Sequence, residues 1–78
     1  MNSDSELLRF ERMAETAYEA MYSAVDSRTV KSLYEDACTH YSRAIEEARR
    51  LNLKSAETRL TNRLSHIRVV YDHQFRWI

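Results

Sequence analysis

Apolar residues recur along the chain at alternating steps of three and four. Leu7, Phe10, Ala14, Ala17, Met21 and Ala24 form the first such series, a spacing that draws one stripe down an α-helix. Ser3 and Glu6 stand ahead of it at capping-box spacing, and Asp4 and Glu6 suit the positive end of a helix dipole. The spacing predicts a helix over about 4–25. Asp26-Ser27-Arg28-Thr29 is the only cluster of turn-forming and cap-forming residues in the first half of the chain, and it reads as a short connection. A second series then runs Val30, Tyr34, Ala37, Tyr41, Ala44, Ala48 and Leu51, with Leu33, Cys38 and Ile45 broadening the stripe. It predicts a helix over 28–51. Arg49 and Arg50 suit its negative end, and Asn52 suits a left-handed residue just past it. A third line, Leu53, Leu60, Leu64, Ile67, Tyr71 and Ile78, with Ala56 beside it, predicts a helix over 55–77.

Three such helices joined by loops of three or four residues pack as antiparallel neighbours. The expected fold is therefore all-α, a single helical domain over 1–78 in an up-down-up bundle, with dimerisation as a way of completing its small core. The alternative is a long helical hairpin that pairs with a second chain. The composition sharpens this. The 78 residues contain no Gly and no Pro, where average usage predicts roughly nine. Phosphate-cradling loops, the dinucleotide fingerprint and nearly every compact β-fold depend on those residues and are excluded. A hydrophobic fraction of 44% with 31% charged residues suits a folded domain. The longest apolar runs, Ala20-Met21-Tyr22 and Val69-Val70-Tyr71, are far too short to span a membrane. Leu7 and Leu8 are followed at once by Arg9, Glu11 and Arg12, so no signal-peptide core is visible. Together with the single cysteine, Cys38, this makes a reducing, cytoplasmic setting the expectation.

Charge is balanced overall, 12 basic against 12 acidic residues, but unevenly placed. Residues 1–36 hold eight acids and four bases, and residues 37–78 hold the reverse. In an up-down-up bundle the third helix lies parallel to the first, and this register sets Arg63 opposite Glu11. Internal complementarity is the simpler reading of the asymmetry, and docking of a partner on a charged face is the other. Arg59, Arg63 and Arg68, with Lys54 and Arg76, make the third helix moderately basic. They define an alternative function as a small nucleic-acid-associated regulator. Against it, a net charge of zero is unusual for a dedicated nucleic-acid binder, and the helices are long for a DNA-reading helix-turn-helix.

Catalytic and metal chemistry find little support. His66 and His73 lie seven residues apart, about 10 Å along a helix, and no Glu-x-x-His pair occurs. Cys38 falls on an apolar face, where a thiol acts as a small hydrophobe. Glu46-Glu47 and Glu35-Asp36 point apart around their helix. The expectation is no enzyme, no cofactor and no metal. The informative feature is the end of the chain. The lines flanking the third seam begin polar, with Thr61 and Arg63, and become Val70, Phe75 and Trp77. That end meets Tyr18, Met21, Tyr22 and Val25 of the first helix in an up-down-up bundle. One pole is thus rich in aromatic residues, the types enriched at interface hot spots. Trp77, Phe75, Val70, Tyr22 and Tyr18 are the expected interface residues, with the bland alternative that Phe75 and Trp77 close the core.

The run Leu33-Tyr34-Glu35-Asp36-Ala37-Cys38-Thr39-His40-Tyr41-Ser42-Arg43-Ala44-Ile45-Glu46 resembles the aromatic-alanine pattern of tetratricopeptide helices. It resembles equally the middle helix of the three-helix microtubule interacting and trafficking domain. Tyr34 with Ala37 and Tyr41 with Ala44 carry the likeness. Both families are protein-binding helical modules, so the resemblance implies the same here. The expected function is non-catalytic protein–protein interaction, most simply homodimerisation through the aromatic pole.

Overall fold

A computed structural model of the chain describes residues 4–75. Within them lie α1 over Asp4–Met21, α2 over Ser27–Arg50 and α3 over Lys54–Val70, and α3 continues into a π-helical turn, Tyr71–Phe75. The helices run up, down and up, and no strand occurs among the described residues. This is the all-α, three-helix fold that the apolar spacing predicts. Ser3 of the expected capping box and Trp77, with the rest of the expected third helix beyond Phe75, lie outside the described residues.

The two corners are made differently. α1 stops at Met21 instead of running to Val25. Tyr22, Ser23 and Ala24 donate their N–H groups to Glu19, Ala20 and Met21, three residues back, so the helix tightens and tapers off. Ala24 still packs against the core while Val25 is 92% exposed. Asp26 then caps α2: its Oδ1 accepts from the Thr29 N–H at 2.7 Å, and its own backbone is extended. At the far end, Asn52 adopts φ 60°. The Leu53 N–H reaches back to the Ala48 carbonyl and the Asn52 N–H to that of Arg49. These are the two bonds of a Schellman motif, and Asn52 supplies the left-handed residue that the absence of glycine would otherwise make scarce. Arg49 Nε also donates to Glu57 Oε2 at 3.0 Å, tying the end of α2 to the first turn of α3.

The core follows the predicted seams. Leu7, Ala14, Tyr18 and Met21 of α1 pack with Val30, Ala37, Tyr41, Ala44, Ile45 and Ala48 of α2 and with Leu60, Leu64, Ile67 and Phe75. The alanines let α1 approach α2 closely. α3 packs chiefly on α2. It reaches α1 through long side chains: Arg59 grips the Glu11 carboxylate with both terminal nitrogens, and Arg63 holds Glu15 through Nε and Nη2 at 2.8 and 3.0 Å. α1 and α3 are therefore parallel, as expected, but Arg63 meets Glu15 and not Glu11. The register is one helical turn further along than the sequence reading places it. The result is an elongated slab, 40 × 22 × 13 Å, in which α2 forms the middle.

Candidate protein-interaction surface

The aromatic pole is largely interior. Phe75 is only 7% exposed, and Tyr18 is as well covered. The π-helical turn explains Phe75. On a regular α-helix it lies on a line beside the Leu60–Leu64–Ile67 seam, but residues in a π turn advance through a smaller angle, which swings Phe75 back onto the seam. There its ring meets that of Tyr22 edge-on at 4.9 Å, and Tyr22 in turn meets Tyr18 edge-on at 5.5 Å. The hydroxyls of Tyr18 and Tyr22 share a hydrogen bond of 2.9 Å. Arg63 lies over the Tyr18 ring at 5.2 Å, adding a cation–π contact to its pair with Glu15. Val70 is half-buried against the core. Burial and the bond to Tyr22 push the Tyr18 hydroxyl up to about 12, against an opposing pull from Arg63. Of the expected interface residues that are described, Tyr18 and Phe75 thus close the core, Val70 contributes to it, and Tyr22 presents a large exposed part, 55%.

A second aromatic contact joins α2 to the π turn. Tyr34 and Tyr71 stack face to face, 3.9 Å between centroids and 8° from parallel. Burial pushes the Tyr34 hydroxyl up to about 12, helped by the neighbouring Cys38 thiol. Cys38 is a half-buried free thiol packed against the core.

Two cations of the basic line of α3 are engaged within the molecule. Arg59 and Arg63 are held by α1 carboxylates, and Arg68 is the one of the three without an ion-pair partner among the described residues. His66 and His73 are exposed, whereas His40 is half-buried between the helices. Among the described residues no three His, Cys, Asp or Glu side chains converge as a metal site would require, and no helix is long and apolar enough to cross a membrane.

One patch of uncovered apolar surface lies on the α1–α2 hairpin. Glu11, Glu15 and Tyr18 turn toward α3. Met13, Ala17 and Ala20 fall two residues from Glu15, Glu15 and Tyr18, which is 200° around a helix, so they line the opposite flank. There they form a groove with Thr16 of α1 and with Leu33, Asp36 and His40 of α2, and Arg12 stands at its rim; no α3 residue lines it. Met13 is 43% exposed. Arg12 and Asp36 have no ion-pair partner among the described residues. The His40 Nδ1 is shielded from solvent yet makes no hydrogen bond within the chain. An apolar floor with polar side chains at its edge is an arrangement that protein interfaces also show. Sequence reasoning missed it, although a signal was present: on α1 the apolar residues Met13 and Ala20 lie beyond the Ala17–Ala24 edge of the seam, on the side away from the glutamates. No protein-family model matches the chain, and comparison with curated proteins and with solved structures returns no significant match.

Proposed function

We propose that the chain is a non-catalytic protein–protein interaction module, most simply one that pairs with a second copy of itself. The observation that carries this is the apolar groove of Met13, Ala17, Ala20 and Leu33 on the flank of the hairpin that α3 leaves open. The tyrosine–alanine pattern of α2, which resembles protein-binding helical modules, supports the same reading. So does the engagement of Arg59 and Arg63 by α1 carboxylates, which occupies two of the five cations on which the nucleic-acid alternative rests. A cytoplasmic setting belongs to this proposal, motivated by the lone free thiol.

The test is light scattering behind size-exclusion chromatography over a hundredfold range of loading concentration. The expected result is a mass that rises toward twice the 9.3 kDa of one chain. A mass of one chain at every concentration removes self-pairing as the function. Salt-sensitive retention on DNA or RNA would favour the nucleic-acid reading instead.

A further inference from the structure

We propose that the end of α3 is a two-register switch at the aromatic pole: the π turn Tyr71–Phe75 holds Phe75 inside, and a regular α-helical turn releases it. This goes beyond the interaction reading and does not depend on it. The seam of α3 steps by seven from Leu60 to Ile67, and a further seven leads to Gln74. On a regular α-helix Gln74 falls about 20° from the line of Ile67, and Phe75 falls about 80° from it. A π turn holds one residue more than an α turn, so it moves Phe75 into the place of Gln74. Phe75 is accordingly buried while Gln74, beside it, is exposed. The extra residue exchanges an amide side chain for a phenyl ring at one position of the seam.

Two opposing preferences set the balance. A π turn is disfavoured against an α turn, which is why it is rare. Burial of one phenyl ring favours the closed register by roughly ten- to a hundredfold. The net bias is smaller than that of burial alone, so the open register holds about one per cent of the chains or more. The contacts of the turn divide into a hinge and a latch. Tyr71, its first residue, stacks on Tyr34 of α2 at 3.9 Å and stands ahead of the angular change, so it keeps its place in both registers. Phe75, its last residue, takes the whole change, and its ring meets that of Tyr22 at 4.9 Å. Tyr22 lies past the last residue of α1, in the tightened tail, and is already half open to solvent. The latch therefore closes on a tapered chain end and not on a helix. Its release turns the Phe75 ring outward and uncovers that of Tyr22.

Nuclear magnetic resonance reads the register directly. In the native chain the Phe75 ring is expected to show proton contacts with the Tyr22 ring, and the amides of 72–75 to show relaxation dispersion from exchange with the open register. Gln74→Leu places an apolar side chain on the α-register seam. It is expected to raise the open population at least fivefold, weakening the Phe75–Tyr22 contact while that of Tyr34 with Tyr71 persists. Deletion of Gln74 sets Phe75 on the seam of a regular helix, and is expected to keep the contact with Tyr22 and abolish the exchange. An unchanged Phe75–Tyr22 contact in Gln74→Leu overturns the switch, and so does an absence of exchange in the native chain. Loss of the Tyr34–Tyr71 contact along with that of Phe75 also overturns it, since the end of α3 is then fraying and not changing register. None of these outcomes alters the mass of the chain in solution, so the switch and the interaction reading fail separately.

Discussion

Tyr41 sits in the middle of α2 with no exposed surface, and its hydroxyl has no hydrogen-bond partner within the chain. A buried polar group without a partner forfeits the bonds it made to water, a loss of about 1–3 kcal/mol. Its ring, by contrast, fills the space between the helices. Tyr41→Phe keeps the ring and removes the orphan, so it is expected to raise stability by about 1 kcal/mol in urea unfolding. A fall in stability would show that the hydroxyl is satisfied after all. Tyr18 and Tyr34 are a different case, because their hydroxyls titrate at about 12 in the folded chain and near 10 when exposed. The folded state then holds protons that the unfolded state has released. Their stabilising effect is complete below about pH 10 and is lost as pH climbs toward 12. The urea midpoint of the native chain should fall between pH 9 and pH 11.5 more steeply than that of a Tyr18→Phe, Tyr34→Phe double variant; equal slopes would assign the alkaline loss to other groups.

Among the elements, α2 has the best-defined ends, and both are legible from neighbouring residues because capping is a local matter. Asp26 accepts from Thr29, and Asn52 takes the left-handed conformation. The bond from Thr29 holds the Asp26 carboxyl below its ordinary 3.8. A lowered value means stability that is present above pH 3.8 and disappears as pH falls through the folded value. Asp26→Ala should lower Tm by a few degrees at pH 7, and the deficit should shrink at pH 2.5. Asp26→Asn, which caps comparably without titrating, should show a flatter Tm between those pH values; a parallel decline in both chains would remove the carboxylate from the account. The ends of α1 and α3 were less legible. Ala24 continues the seam of α1 and packs on the core, yet it does so from a tightened tail. The π turn changes the angular phase of five residues, and apolar spacing alone reports no such change while Tyr71 and Phe75 both remain apolar.

At the scale of the whole molecule, the ion pairs between α1 and α3 report the register. Glu11 with Arg59 and Glu15 with Arg63 are each separated by 48 residues, so two parallel helices are held in step. These pairs are partly exposed, and exposed pairs contribute little, roughly 0.2–1 kcal/mol. A double-mutant cycle on Glu15→Ala and Arg63→Ala is expected to give a coupling of about 0.5 kcal/mol that diminishes in 1 M salt. No coupling at low salt would mean that packing alone sets the register. The groove belongs to this scale too. Met13, Ala17 and Ala20 become a surface only when Leu33, Asp36 and His40 of α2 stand beside them.

Helix number, the seams and the second connection at Asn52 follow from the order of residues alone, since periodicity and capping act over a few positions, and short loops favour the antiparallel neighbours that make α1 and α3 parallel. The pairing of Arg63 with Glu15, the burial of Phe75 and the location of the open groove do not. Each depends on how far one helix slides past or turns against another, and that is decided by the fit of side chains distant in the chain. A shift of one turn costs the local pattern nothing, yet it changes which charges meet and which apolar flank is left uncovered.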